Sequence, residues 1–235
     1  MKRKIFWFSA IILAAAALLI ALLLLQKSKN ATAEPTQPAI QASFEDTQDR
    51  AINLGYGLYL TQVGSYTGPF IEDGSDAAVS GILMIRVENR GETAIEYGSI
   101  TMALSQGEAQ FTLSALMPGQ TVILLEQNQL PWSSTEEYLY PLLSDTAPYT
   151  RQLSLQQEIL SVQPLNGGLN VKNISTNDIL GDIVIYYKNK QDGIFYGGIT
   201  YRLRIPGGLA AGATSQLISD HFRSHATEIL FITVD

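Results

Sequence analysis

The chain has 235 residues, 46% of them hydrophobic and 16% charged, with no cysteine and a formal net charge of −7. Lacking cysteine, it has no disulfide, no thiol nucleophile, no thiolate metal site and no cysteine to carry a lipid anchor. Five of the 15 basic residues and none of the 22 acidic ones fall in the first 33 positions. That leaves ten bases against 22 acids in the remainder, a balance that argues against nucleic acid or anionic lipid as its partner.

Lys2-Arg3-Lys4 precedes an uncharged apolar run, Ile5 to Leu25, that ends at Gln26-Lys27-Ser28-Lys29. At the rise of an α-helix this run is about 31 Å long, close to the hydrocarbon thickness of a bilayer. Residues 1–26 are therefore expected to form a transmembrane signal-anchor, and the basic residues before the run favour a cytoplasmic N-terminus. Ala31-Thr32-Ala33 is an A-x-A site, which keeps cleavage after Ala33 open as a second reading. The apolar run exceeds the roughly 7–15 residues of a cleavable h-region. Either way the rest of the chain is exported, and the protein is expected in the cell membrane as a single-pass species with extracellular C-terminal domains.

Residues 27–52 are polar, carry Pro35 and Pro38, and read as an extended extracellular linker. From there the chain turns into short alternating segments bounded by glycine and polar turns, which predicts an all-β fold. A first β-sandwich domain is expected over 53–130, with strands near 56–63, 79–88, 94–104, 109–114 and 121–126. Within the third, Ile100, Met102 and Leu104 lie on one face and Thr101 and Ala103 on the other, the period-two pattern of a half-buried strand. Residues 131–150 read as a connector. Ser133 or Ser134 followed by Glu136 or Glu137 is a capping-box spacing that predicts one or two helical turns there. A second domain is expected over 151–235, with strands near 153–162, 168–173, 182–188, 194–197, 200–205, 214–219 and 228–234. In it, Ile199, Tyr201, Leu203 and Ile205 face the core while Thr200, Arg202 and Arg204 face water.

The two domains read as a duplication. Val87-Glu88-Asn89 stands six residues before Ile95, and Val171-Lys172-Asn173 stands six before Ile179. Further on, Leu116 to Thr121 and Leu209 to Thr214 share the pattern L-x-x-G-x-T. The second copy is longer between these landmarks, and the extra residues are expected to lengthen a hairpin around 188–198, turned at Gln191-Asp192-Gly193. This plan resembles Ig-like and fibronectin-III-like bacterial surface domains, including the FxLYD-type modules, although the motif naming that family is absent. The stretch Ser65 to Asp76, together with Val171 to Ser175, Tyr187-Lys188-Asn189 and Gly197 to Arg202, resembles uncharacterised single-pass proteins of Gram-positive, Clostridia-type bacteria. The resemblance implies tandem exported β-sandwich domains and no particular activity.

Three clusters could carry chemistry. Glu72, Asp73 and Asp76 form a compact acidic turn, either a calcium site or an ordinary solvated turn; the spacing does not match an EF-hand. His221 and His225, with Asp220 alongside, have the i, i+4 spacing of zinc ligands, but Phe222 stands where H-E-x-x-H needs a glutamate. Tyr186, Tyr187, Phe195, Tyr196 and Tyr201 gather around the long hairpin, either as cross-strand core pairs or as a face that stacks sugars or anchors a protein. No G-x-S-x-G motif and no phosphate-binding glycine loop is present, and no cofactor is called for. The expected function is non-enzymatic: an interaction or scaffolding module of the cell envelope with a protein partner and no nucleic acid. The alternatives are a cell-wall glycan-binding module using the tyrosine-rich hairpin and, beyond it, a metal-dependent hydrolase using the two histidines.

Overall fold

The computed structural model describes residues 41–44, 51–105 and 107–234. The expected membrane anchor and most of the expected linker lie outside these residues. Among the described residues no helix is long and apolar enough to cross a membrane.

The described chain is all β, as the period-two patterning requires. Its strands are β1 (Gln41–Phe44), β2 (Ile52–Gly55), β3 (Leu58–Phe70), β4 (Ala77–Asn89), β5 (Ile95–Leu104), β6 (Gly107–Leu116), β7 (Thr121–Leu125) and β8 (Leu139–Pro148). They continue as β9 (Leu160–Leu165), β10 (Gly168–Asn173), β11 (Ile183–Gln191), β12 (Ile194–Tyr196), β13 (Tyr201–Ile205), β14 (Thr214–Ile218) and β15 (Thr227–Val234).

One pairing plan occurs twice. In the N-terminal half β3-β4-β7 form one antiparallel layer and β6-β5-β8 the other. In the C-terminal half β9-β10-β14 and β13-β11-β15 repeat that arrangement. The registers agree as well. Glu88 pairs with Thr121 and Lys172 with Thr214, while Met84 pairs with Leu125 and Gly168 with Ile218. Ile95 opposite Leu116 reappears as an isolated bridge between Ile179 and Leu209.

The asparagine that closes each V-x-N segment explains why the motif recurs. Asn89 is buried, and its Nδ2 donates to Thr93 O and Leu116 O at 2.9 and 3.0 Å while Oδ1 accepts from Gly91 N at 3.0 Å. Asn173 donates to Asn177 O and Leu209 O at 2.8 and 2.9 Å and accepts from Ser175 N at 2.9 Å. Each amide ties the end of its strand to the following turn and to the L-x-x-G-x-T loop. Left unpaired, such a buried amide would cost about 1–3 kcal/mol.

Each half buries its own apolar layer. Leu58, Leu83, Ile85, Val87, Ile100, Phe111 and Val122 meet between the two sheets of the first half. Leu169, Val171, Ile183, Ile185, Tyr187 and Ile232 do so in the second. Withdrawing each such side chain from water is worth about 1.5–3 kcal/mol.

The halves differ in one hairpin, and that difference joins them. In the first half β5 turns back into β6 between Leu104 and Gly107. In the second, β11 runs on past the equivalent point and returns as β12, with Gln191 opposite Ile194. Asp192 and Gly193, at φ of 52° and 81°, make the tight turn, which needs left-handed backbone at both central positions. The added length places β12 beside β7, parallel, with Phe195 opposite Val122 and Tyr196 opposite Ile123. A nine-stranded sheet therefore crosses from one half to the other, and the described residues form one compact unit. Phe195 enters the first half's core, and Tyr196 joins Tyr66, Phe70, Ile82, Met84 and Ile123 in a third apolar cluster on the far side of that sheet.

Three segments depart from expectation, the first being the strand expected at 153–162, where the chain is irregular up to a turn at 157–159 and the strand β9 begins only at Leu160. Gln41–Phe44, placed in the linker, pair with β3 as β1. The connector forms no helical turn of the kind its capping-box spacing predicts; 139–148 is the edge strand β8, paired to β5. The Glu136 carboxylate, instead of capping its own turn, accepts hydrogen bonds from Ser105 N and Oγ at 2.6 and 2.7 Å. That interaction is long-range and favours the extended route.

Candidate functional site

Of the polar residues singled out in the sequence, Glu72, Asp76 and His221 meet where the halves join. The β3–β4 turn is shaped locally: Gly74 N donates to Ile71 O at 2.9 Å, and Asp73 Oδ1 accepts from Ser75 N at 2.8 Å. This bond, with the Ser75 hydroxyl, holds the Asp73 carboxyl below its ordinary range. The turn aims the neighbouring carboxylate inward. Glu72 Oε1 accepts from Leu125 N at 2.9 Å, and both its oxygens accept from Gly198 N, at 2.9 and 2.8 Å.

Lys188 approaches the same glycine from beneath. It is 1% exposed, and its Nζ donates to Gly197 O at 3.1 Å and Gly198 O at 3.0 Å. Ser114 adds its N and its Oγ to Gly198 O, both at 2.7 Å. The Gly197-Gly198 peptides thus lie between a carboxylate on the N–H side and an ammonium on the carbonyl side, an alignment that matches the peptide dipole. Burial pushes the Lys188 amine down to about 7, against the upward pull of Glu72. Burial also raises the Glu72 carboxyl, while the backbone N–H groups and Lys188 act to lower it. Only glycine fits here, because a Cβ on Gly198 would lie 1.8 Å from Thr112 O and Gly197 has φ of 80°.

Asp76, from the same turn, reaches the other half by a second route. Its Oδ2 lies 3.2 Å from His221 Nδ1. The His221 ring stacks on Tyr201 at 4.6 Å, Tyr201 stacks on Tyr187 at 5.4 Å, and Tyr187 meets the edge of Phe222 at 5.3 Å. The Tyr187 hydroxyl is within 2.8 Å of Ser219 Oγ. This ladder carries contact from the acidic turn into the second half's core.

The three acids proposed together for calcium therefore hold three different partners: the hairpin backbone for Glu72, its own turn for Asp73 and an imidazole for Asp76. His221 is engaged by Asp76 and Tyr201, and His225 lies beyond it in the exposed loop leading to β15. Among the described residues no group of three or more His, Cys, Asp or Glu is placed to hold a metal ion.

The tyrosine-rich hairpin is interior rather than displayed. Tyr187, Phe195 and Tyr196 are 1%, 2% and 9% exposed, which corrects the reading of these side chains as a binding face. Period-two alternation alone would put one of Tyr186 and Tyr187 in water. Tyr186 instead stacks on Phe231 at 4.4 Å, and Tyr149 meets Phe231 edge-on at 5.4 Å, so even the outer side of β11 is largely covered.

Sequence reading missed two polar residues of consequence. Lys188 follows the core residue Tyr187 on β11 and is buried on the other side of the strand, against the Gly197-Gly198 carbonyls. Glu126 is fully buried; its carboxylate accepts from Gln110 N, Asn128 N and Leu130 N at 3.1, 2.8 and 2.9 Å. It fixes the turn after β7, and nothing in its local sequence announced that role. Comparison of the chain with protein-family models, with curated proteins and with solved structures gives no match.

Proposed function

We propose that this chain is a membrane-anchored, externally displayed, non-enzymatic protein that serves as an interaction or scaffolding module of a Gram-positive cell envelope. Its exported part is read as two Ig-like, fibronectin-III-like sandwiches in tandem, fused through the long hairpin. The observation that carries the reading is the join itself. An enlarged hairpin and a diglycine held by the buried Glu72 and Lys188 side chains are all engaged in fixing one half against the other. Fixed geometry serves presentation of surfaces to a partner at a set distance and angle. The apolar run at Ile5–Leu25, with its basic flank, supplies the tether.

The chain's lack of cysteine supplies a direct test. Leu180 is 83% exposed, so Leu180→Cys offers a single accessible thiol. A membrane-impermeant maleimide is expected to label it on intact cells, while Lys2→Cys is labelled only after lysis. Labelling of both positions only after lysis would refute external display. Photo-crosslinkers placed at exposed positions around both halves are then expected to trap an envelope protein, and an absence of adducts from every position would refute scaffolding.

A further inference from the structure

The sheet β6-β5-β8 carries charge of one sign. Between Gly91 and Thr150 the chain has seven acidic residues and no Lys, Arg or His. Glu126 is the buried one; Glu92, Glu96, Glu108, Glu137 and Asp145 are exposed, and Glu136 is partly so. Opposite signs are interspersed elsewhere, as where Arg90 pairs with Glu88, Arg204 with Asp182 and Lys190 with Glu228. The three strands themselves carry no base.

The same sheet ends in an open edge. Among the described residues β8 pairs with β5 alone. Natural edge strands are commonly blunted by Lys or Pro. In β8 the prolines stand at 141 and 148, which leaves Leu142 to Ala147 with backbone groups able to pair and no lysine to block them. Large apolar side chains are exposed beside this edge, with Tyr140 81% and Leu142 63% accessible.

At the start of β8 lies a surface hollow of about 470 Å³ lined by Ala103, Leu104, Ser105, Thr135, Glu137 and Tyr140. Glu136 forms part of its wall, and the hydrogen bonds from the Ser105 hydroxyl and N–H hold its carboxyl below the usual range. Carboxylates beside an exposed aromatic ring make a receptor for an ammonium or guanidinium on an aliphatic stem.

We infer that the open edge of β8, with the hollow at its start, docks an extended Lys- or Arg-bearing segment of a partner protein by strand addition. Backbone pairing along 142–147 supplies the affinity, and one cationic side chain entering the hollow against Tyr140 and Glu137 sets the register. A second copy of this chain is the wrong occupant, because two such edges carry charge of the same sign, Glu137 and Asp145 on each, with no base on either strand to offset it. This inference rests on the reading of the protein as an interaction module and names the surface and the chemistry of its partner.

The test uses the full chain in nanodiscs of zwitterionic lipid and three fluorescent peptides of equal length: alternating Lys-Val, alternating Lys-Gly and alternating Glu-Val. The Lys-Val peptide is expected to bind at least about tenfold more tightly than Lys-Gly, and Glu-Val not at all. Glu137→Lys and Asp145→Lys each weaken it about tenfold, while Glu158→Lys, on the other half, leaves it unchanged. Equal binding of Lys-Val and Lys-Gly, or equal loss on reversal at Glu158, overturns strand addition at β8 in favour of diffuse charge attraction. In cells, adducts from other positions without any from position 142 sink this surface and leave the scaffolding reading standing; no adducts anywhere sink the scaffolding reading itself.

Discussion

Gly198 concentrates the physics of the join. Its N–H, its carbonyl and its missing side chain are each required, by Glu72, by Lys188 with Ser114, and by Thr112 O. Gly198→Ala drives a methyl group into backbone that has no flexible end to yield. The variant is expected to lose about 3 kcal/mol of stability, read as a lower denaturant midpoint at unchanged slope. Lys188 gives a test in pH. Its amine is held down to about 7 in the folded protein, below the ordinary 10.5, so between those values the unfolded chain binds more protons than the folded one. Stability due to this group therefore rises as pH increases through that window. Burial also holds the Tyr66 and Tyr201 hydroxyls above their ordinary range, and they act in the opposite sense at still higher pH. Subtracting the profile of Lys188→Met, which keeps those tyrosines, isolates the lysine. The wild type minus variant difference is expected to climb from about pH 7 to 9.5; a flat difference would mean that the amine is not held near neutrality.

Most strands were legible because each faces one core. Ile100 and Met102, or Val171 between Asn170 and Lys172, carry a period that a sheet alone explains, and the duplicated asparagine gave the order of the copies. The length difference was legible too. The amide of Asn89 reaches Leu116 across 27 residues and that of Asn173 reaches Leu209 across 36, so the surplus falls in the second hairpin. What could not be read was the destination of that surplus. Pairing of β12 with β7 involves two or three residues whose apolar character suits any interior. β8 was hidden for a related reason: its two prolines and a capping-box spacing before it point locally to a turn, and only Ser105, distant in sequence, decides against one. Glu72 looked like a solvated acid because its partners, Leu125 and Gly198, lie 53 and 126 residues away. The hairpin can be removed by homology to its twin. Replacing 189–199 with the Ser-Gln pair that joins Leu104 to Gly107 withdraws Phe195 and Tyr196 from the first half and frees the β7 edge. Calorimetry is expected to resolve the single transition of the parent into two, the first half melting earlier. One unchanged transition would show that the halves are coupled elsewhere.

Across the chain, the two halves differ in a consistent way. Thr121 matches Thr214 in register, so Val122 and Ile123, which β12 covers, correspond to Ser215 and Gln216 on β14. The first half has an apolar edge that receives a strand, and the matching edge of the second half is polar. The acidic excess follows the same division of labour, since the first half alone presents a sheet without a single base. The parallel pairing of β7 with β12 also imposes a timetable on biosynthesis. A chain synthesised from its N-terminus delivers Val122 long before Phe195, so the earlier lobe must wait, its flank bare, until the later one has been made. Completion is thereby written into the fold: a chain that stops short of Phe195 leaves the flank of β7 without its partner strand.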